Sequence, residues 1–78
     1  MSKIFTIVRN IIAEHTGIPA GSLEPSTRLG ALGLDGMDVS ELVMAVEDEF
    51  EVEISDEEYN EIGTLDDIVE LIKRKKKQ

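Results

Sequence analysis

Few side chains in this sequence are suited to covalent or acid–base chemistry. There is no cysteine, and His15 is the single histidine. No partner within reach in sequence would make His15 a general base, and no nucleophile–base pair or phosphate loop occurs, so no catalytic residue is assigned. Asp35-Gly36-Met37-Asp38 resembles the start of a cation loop, but the further ligands and bidentate glutamate of a 12-residue calcium loop are out of register. No metal ligands are assigned, and the acids are expected to collect divalent ions only loosely. What remains is surface chemistry. Between Asp35 and Glu58 there are eleven acids and no base. Such a field repels nucleic acid and anionic lipid and draws in basic protein patches. Acidity also confers solubility, but its concentration in one segment favours recognition.

The element that must position those acids runs from Leu32 to Phe50. Asp35 is a good N-cap, and no proline follows it before the acidic end of the run. At ~100° per residue, Val39, Leu42, Val43, Val46 and Phe50 gather on one side, a core stripe of ordinary width. Met37, Glu41, Met44 and Asp48 gather on the other. Methionine among carboxylates on a water-facing side suits a surface that meets several partners, because the side chain is flexible and polarisable. Two incidental surface methionines are the plainer reading.

From Asp35 to Phe50 the chain resembles the central helix of acyl carrier proteins, whose pattern is Asp-Ser-Leu/Met-Asp, then Glu-Leu-Val-Met, then an acidic run closed by Phe. The residues that carry the resemblance are Asp35, Met37, Asp38, Glu41-Leu42-Val43-Met44-Ala45 and Glu47-Asp48-Glu49-Phe50. It extends from about Ile4 to Ile72, and Leu23-Glu24-Pro25-Ser26-Thr27 with Leu29 is similar to the family's first loop.

The resemblance implies a carrier of acyl groups in fatty-acid or polyketide-type lipid metabolism, bearing 4′-phosphopantetheine on a serine at the start of the central helix. It implies partners with basic patches: synthases, acyltransferases and the phosphopantetheinyl transferase, met through Met37, Asp38, Glu41, Met44, Glu47 and Asp48. The attachment position corresponds to Gly36, flanked by Asp35, Met37 and Asp38. Glycine has no oxygen to carry the group, so no cofactor is expected on the chain as written. Ser40, one turn later, lacks the Asp-Ser context. Either the chain is a natural carrier-like protein without the arm, or a serine was replaced by glycine to hold a normal carrier unmodified. A plain acidic interaction module, unrelated to acyl transfer, is the alternative from another class.

The rest of the chain supplies support. With 78 residues there is room for one small core and no disulfide or zinc framework to supplement it. Ser2 is a candidate cap for a first helix in which Ile4, Ile7, Val8, Ile11, Ile12 and His15 recur at helical spacing. Gly17 and Pro19 end it. Ile18 to Leu34 is a long connection whose Ile18, Leu23, Leu29, Leu32 and Leu34 are expected to pin an irregular loop to the core. Glu51 to Ile54 is read as an extended link. Ser55 with Glu58 forms a capping box for a brief helix over Asp56 to Asn60, which Gly63 is expected to break. Thr64 with Asp67 caps a last helix whose stripe is Leu65, Ile68, Val69 and Ile72.

Five of the eight basic residues lie in Lys73–Lys77, where cations favour a helix end, and the preceding body sets three bases against all seventeen acids. The expected architecture is all-α: a small four-helix bundle, three main helices and one short one, with a long first connection. Residues 1–72 form the acyl-carrier-like domain and 73–78 a basic tail. No signal peptide or membrane span is indicated, and a cytoplasmic, non-enzymatic monomer is expected.

Overall fold

The computed structural model describes residues 3–76. Four α-helices, α1 (Lys3–Thr16), α2 (Gly36–Phe50), α3 (Asp56–Asn60) and α4 (Leu65–Lys76), follow one another, with short 3-10 turns at Ala20–Ser22 and Leu29–Leu32 in the first connection. This is the expected all-α bundle of three main helices and one short one. Ser2, suggested as the first cap, and the last residues of the basic tail lie outside the described residues.

Helix ends follow local rules. The N–H of Gly17, at φ 77°, donates to the Ala13 carbonyl at 2.9 Å and closes α1 in the left-handed conformation that glycine adopts without strain. Ser55 and Glu58 exchange side-chain and backbone bonds in a full capping box over α3. At α4 the N–H of Asp67 donates to Thr64 Oγ1 at 3.2 Å, while the Asp67 carboxylate accepts from the N–H groups of Gly63 and Thr64 at 2.8 and 3.0 Å. Those backbone donors hold the Asp67 carboxyl below its ordinary range. Gly63 does not break α3. The helix has already ended at Asn60, because the N–H groups of Glu61 and Ile62 turn back to the carbonyls of Glu58 and Tyr59 in 3-10 fashion.

The core is built where the apolar stripes meet. Phe5, Val8 and Ile12 of α1 join Leu42, Val46 and Phe50 of α2 and Leu65, Ile68, Val69 and Ile72 of α4. Leu23 and Leu29 of the long connection are buried in the same cluster, with Ile18, Leu32 and Leu34 half-buried against it. The connection therefore behaves as an anchored loop. It is also stapled to α4: the N–H groups of Leu65 and Asp66, which have no partner within their own helix, donate to the carbonyls of Thr27 and Pro25 at 3.2 and 2.9 Å. Leu29 N–H donates to the Gly63 carbonyl at 3.0 Å, and Arg28 and Thr64 form an isolated antiparallel bridge. These contacts fix the direction from which the chain enters α2.

The α1 stripe is rotated slightly from the expected one. Phe5 is buried while Ile4, Ile7 and Ile11 are half-buried, because the ring reaches into the cluster from the first turn. The Lys73–Lys76 run continues α4, and Lys75 Nζ lies 2.8 Å from Glu58 Oε1 on α3. No helix among the described residues is long and apolar enough to cross a membrane.

Candidate functional site

Gly33, at φ 77°, ends the second 3-10 turn and lets the chain swing into α2. Asp35 then takes an extended conformation and caps the helix, its Oδ1 accepting from Asp38 N–H at 2.9 Å. Asp38 Oδ2 reaches back to Asp35 N–H at 3.4 Å, so the two carboxylates form a reciprocal box. Both stand at the positive end of the helix, where negative charge is stabilised. The capping box explains why an acid is useful at both positions even before any partner is considered.

Gly36 is the first residue of α2 and is exposed. A Cβ added there would meet no atom within 4 Å, so a side chain at this position would stand in open solvent. The amides of Gly36 and Met37 precede the first helical bond, Val39 N–H to the Asp35 carbonyl at 3.0 Å. An anion held just outside position 36 would face these donors and the helix dipole. The glycine itself has no side-chain oxygen to hold one covalently.

Beyond the first turn the two faces of α2 separate as the sequence predicts. Leu42, Val43, Val46 and Phe50 are buried and Val39 is half-buried. Met37 and Met44 are the exposed large apolar residues of the described chain, at 73% and 61% of their free area, and Glu41 and Asp48 lie exposed on the same face. Glu47 stands apart. It is half-buried, and its Oε2 accepts from Ile54 N–H at 2.7 Å, which ties the extended link after α2 back onto the helix. The sequence offered no signal for that role, since the pairing spans seven residues of irregular chain.

Two further features escape sequence pattern. A cleft of about 320 Å³ opens between the end of α1 and the start of α2, lined by Ile18, Leu32 and Leu42 and by His15, Asp38 and Glu41. His15 is exposed in the last turn of α1. The other feature is Tyr59 of α3. Its hydroxyl lies 3.3 Å from both the Gly36 carbonyl and Ser40 Oγ, bringing α3 against the first turn of α2. No group of three or more His, Cys, Asp or Glu residues among those described is arranged to hold a metal ion.

A small helical bundle with an acidic second helix, entered through a long anchored loop and open at its first residue, defines a carrier-type domain. Its sequence matches the family model for the phosphopantetheine attachment site over residues 6–72. It is 39% identical over 71 residues to an acyl carrier protein of Clostridium acetobutylicum, covering 90% of this chain and 92% of that one. An acyl carrier protein of Solidesulfovibrio magneticus is 40% identical over 70 residues, covering 88% and 90%. The crystal structure of an acyl carrier protein from Thermotoga maritima matches with a TM-score of 0.82 at 31% identity, over 96% of this chain and 88% of that one. The chain belongs to the acyl carrier protein family.

Proposed function

We propose that this chain is an arm-less acyl carrier protein, which docks carrier-dependent enzymes through α2 and cannot itself hold a thioester. The observation that carries the proposal is Gly36. It occupies the first turn of α2 between Asp35 and Met37-Asp38, open to solvent, where the family pattern has its attachment serine. The residues present do not fit 4′-phosphopantetheine as a covalent group, because glycine offers no oxygen for the phosphodiester. Ser40 does not replace it. Its Oγ lies one turn inside the helix, within reach of the Tyr59 hydroxyl at 3.3 Å.

Docking is supported by the face that survives around the glycine. Met37, Glu41, Met44 and Asp48 project from one side of α2, an apolar pair within a negative field, which suits partners carrying a basic rim around a small apolar contact. Residues 1–72 act as the carrier-like domain and the basic residues from Lys73 onward as its tail. Partners are acyl-chain-handling enzymes, including synthases and acyltransferases.

The test restores the missing atom. Gly36→Ser, incubated with a phosphopantetheinyl transferase and coenzyme A, should gain one phosphopantetheine by intact mass, and adding Ser40→Ala should leave that gain unchanged. Charge reversal at Glu41 and Asp48 in the Gly36→Ser background should slow the modification, and increasingly so at low salt. A folded Gly36→Ser protein that accepts nothing would show that the docking surface has diverged as well, and would favour a plain acidic interaction module.

A further inference from the structure

α3 is held unlike the other helices. It spans only Asp56–Asn60 and buries no residue. Among the described residues, its side-chain hydrogen bonds and ion pairs to other helices come from two adjacent residues, Tyr59 towards α2 and Glu58 towards α4. Tyr59 Oη is 3.3 Å from the Gly36 carbonyl and 3.3 Å from Ser40 Oγ. One hydroxyl can serve both, donating its proton to the carbonyl and accepting the serine proton on oxygen. Positions 36 and 40 are one turn apart, so a single ring spans the first turn of α2. Glu58 Oε1 is 2.8 Å from Lys75 Nζ near the end of α4.

We infer that Tyr59 and the Glu58–Lys75 pair form a two-point polar latch, which holds α3 against α2 and α4 and releases it as a unit while the α1–α2–α4 core stays folded. A segment without buried apolar side chains has little free energy of its own to resist detachment, so local opening lies well below global unfolding. The polar contacts, together with the half-buried Tyr59 ring and Ile62 just beyond the helix, then set the opening equilibrium. Each polar contact is exposed or half-buried, and each should shift that equilibrium by the modest factor of one net hydrogen bond or surface ion pair. Tyr59 is the more consequential of the two, because its release also frees the Gly36 carbonyl and Ser40 Oγ in the first turn of α2.

Amide hydrogen exchange tests this on the full chain. The probes are the N–H groups of Tyr59, Glu61 and Ile62, which bond to the carbonyls of Ser55, Glu58 and Tyr59. Core amides of α1 and α4 serve as the internal reference. Tyr59→Phe, which removes one oxygen and leaves the ring, should speed exchange at the three probes by roughly two- to tenfold, the factor for one net hydrogen bond. The reference amides should be unchanged.

Lys75→Met should produce a smaller acceleration at the same probes, and raising salt to about 0.5 M should reproduce it in the unaltered chain but not in Lys75→Met. In the double variant the two factors should multiply. No acceleration in Tyr59→Phe, or an equal acceleration at probes and reference amides, would overturn the latch. A double variant no faster than Tyr59→Phe alone would overturn the two-point arrangement.

Discussion

Leu42 and Met44 stand two residues apart on α2, and replacing each by alanine separates the two faces of the helix. Leu42 is 1% exposed within the cluster shared by α1, α2 and α4, and Met44 is 61% exposed. Truncating a fully buried leucine loses the transfer free energy of the removed carbons and leaves a cavity, together costing about 3 kcal/mol. A domain of this length has a total stability of roughly 4–12 kcal/mol at the usual value per residue. Leu42→Ala therefore removes a large part of it. At about 4–8 °C per kcal/mol for a domain of this size, Tm should fall by roughly 12–24 °C. Met44→Ala removes no buried contact and should stay within about 0.5 kcal/mol. Far-UV circular dichroism melts, paired with urea titrations showing an unchanged m value, read both variants directly. Comparable destabilisation by the two substitutions would mean that the face assigned to docking is part of the core.

The Glu58–Lys75 pair and the left-handed end of α2 give two further expected outcomes. The Lys75 hydrogen bond, aided by the Ser55 amide, lowers the Glu58 pKa from 4.5 to about 2. A depressed carboxylate stabilises the fold above its unfolded pKa, so the Tm difference between the unaltered chain and Lys75→Met should be full above pH 4.5 and vanish as pH falls towards 2. A difference independent of pH would remove the ion pair as its cause. Glu51 closes α2 at φ 55° in the left-handed region; Glu51→Gly relieves that strain, partly offset by a more flexible unfolded chain, and should raise Tm by a few degrees in thermal melts.

How much of this was legible in the sequence depends on the distance over which each feature is encoded. Asp35, Gly17, Ser55 with Glu58 and Thr64 with Asp67 are local signals within about one helical turn, and each cap lies where its residues place it. The buried stripes of α2 and α4 are likewise set by period alone, although Leu71 is buried outside the expected α4 stripe. The loop from Ile18 to Leu34 was legible only as anchored. The carbonyls of Thr27 and Pro25 accept from the N–H groups of Leu65 and Asp66 at the start of α4, some forty positions away and beyond any local pattern. The same holds at the site. The exposed face of Met37, Glu41, Met44 and Asp48 follows from helical spacing, whereas the tie of Glu47 to Ile54 and the reach of Tyr59 to Gly36 depend on tertiary placement. Gly36 was visible from the start as an absence of oxygen. Its openness to solvent required the fold.

Because position 36 offers no oxygen for the arm, the unaltered chain, purified from its own host and then incubated with a phosphopantetheinyl transferase and coenzyme A, should show the intact mass of the bare polypeptide before and after incubation. Neither sample should contain a phosphopantetheine adduct. Such an adduct in either sample, mapped to any residue by fragmentation, would contradict the arm-less reading.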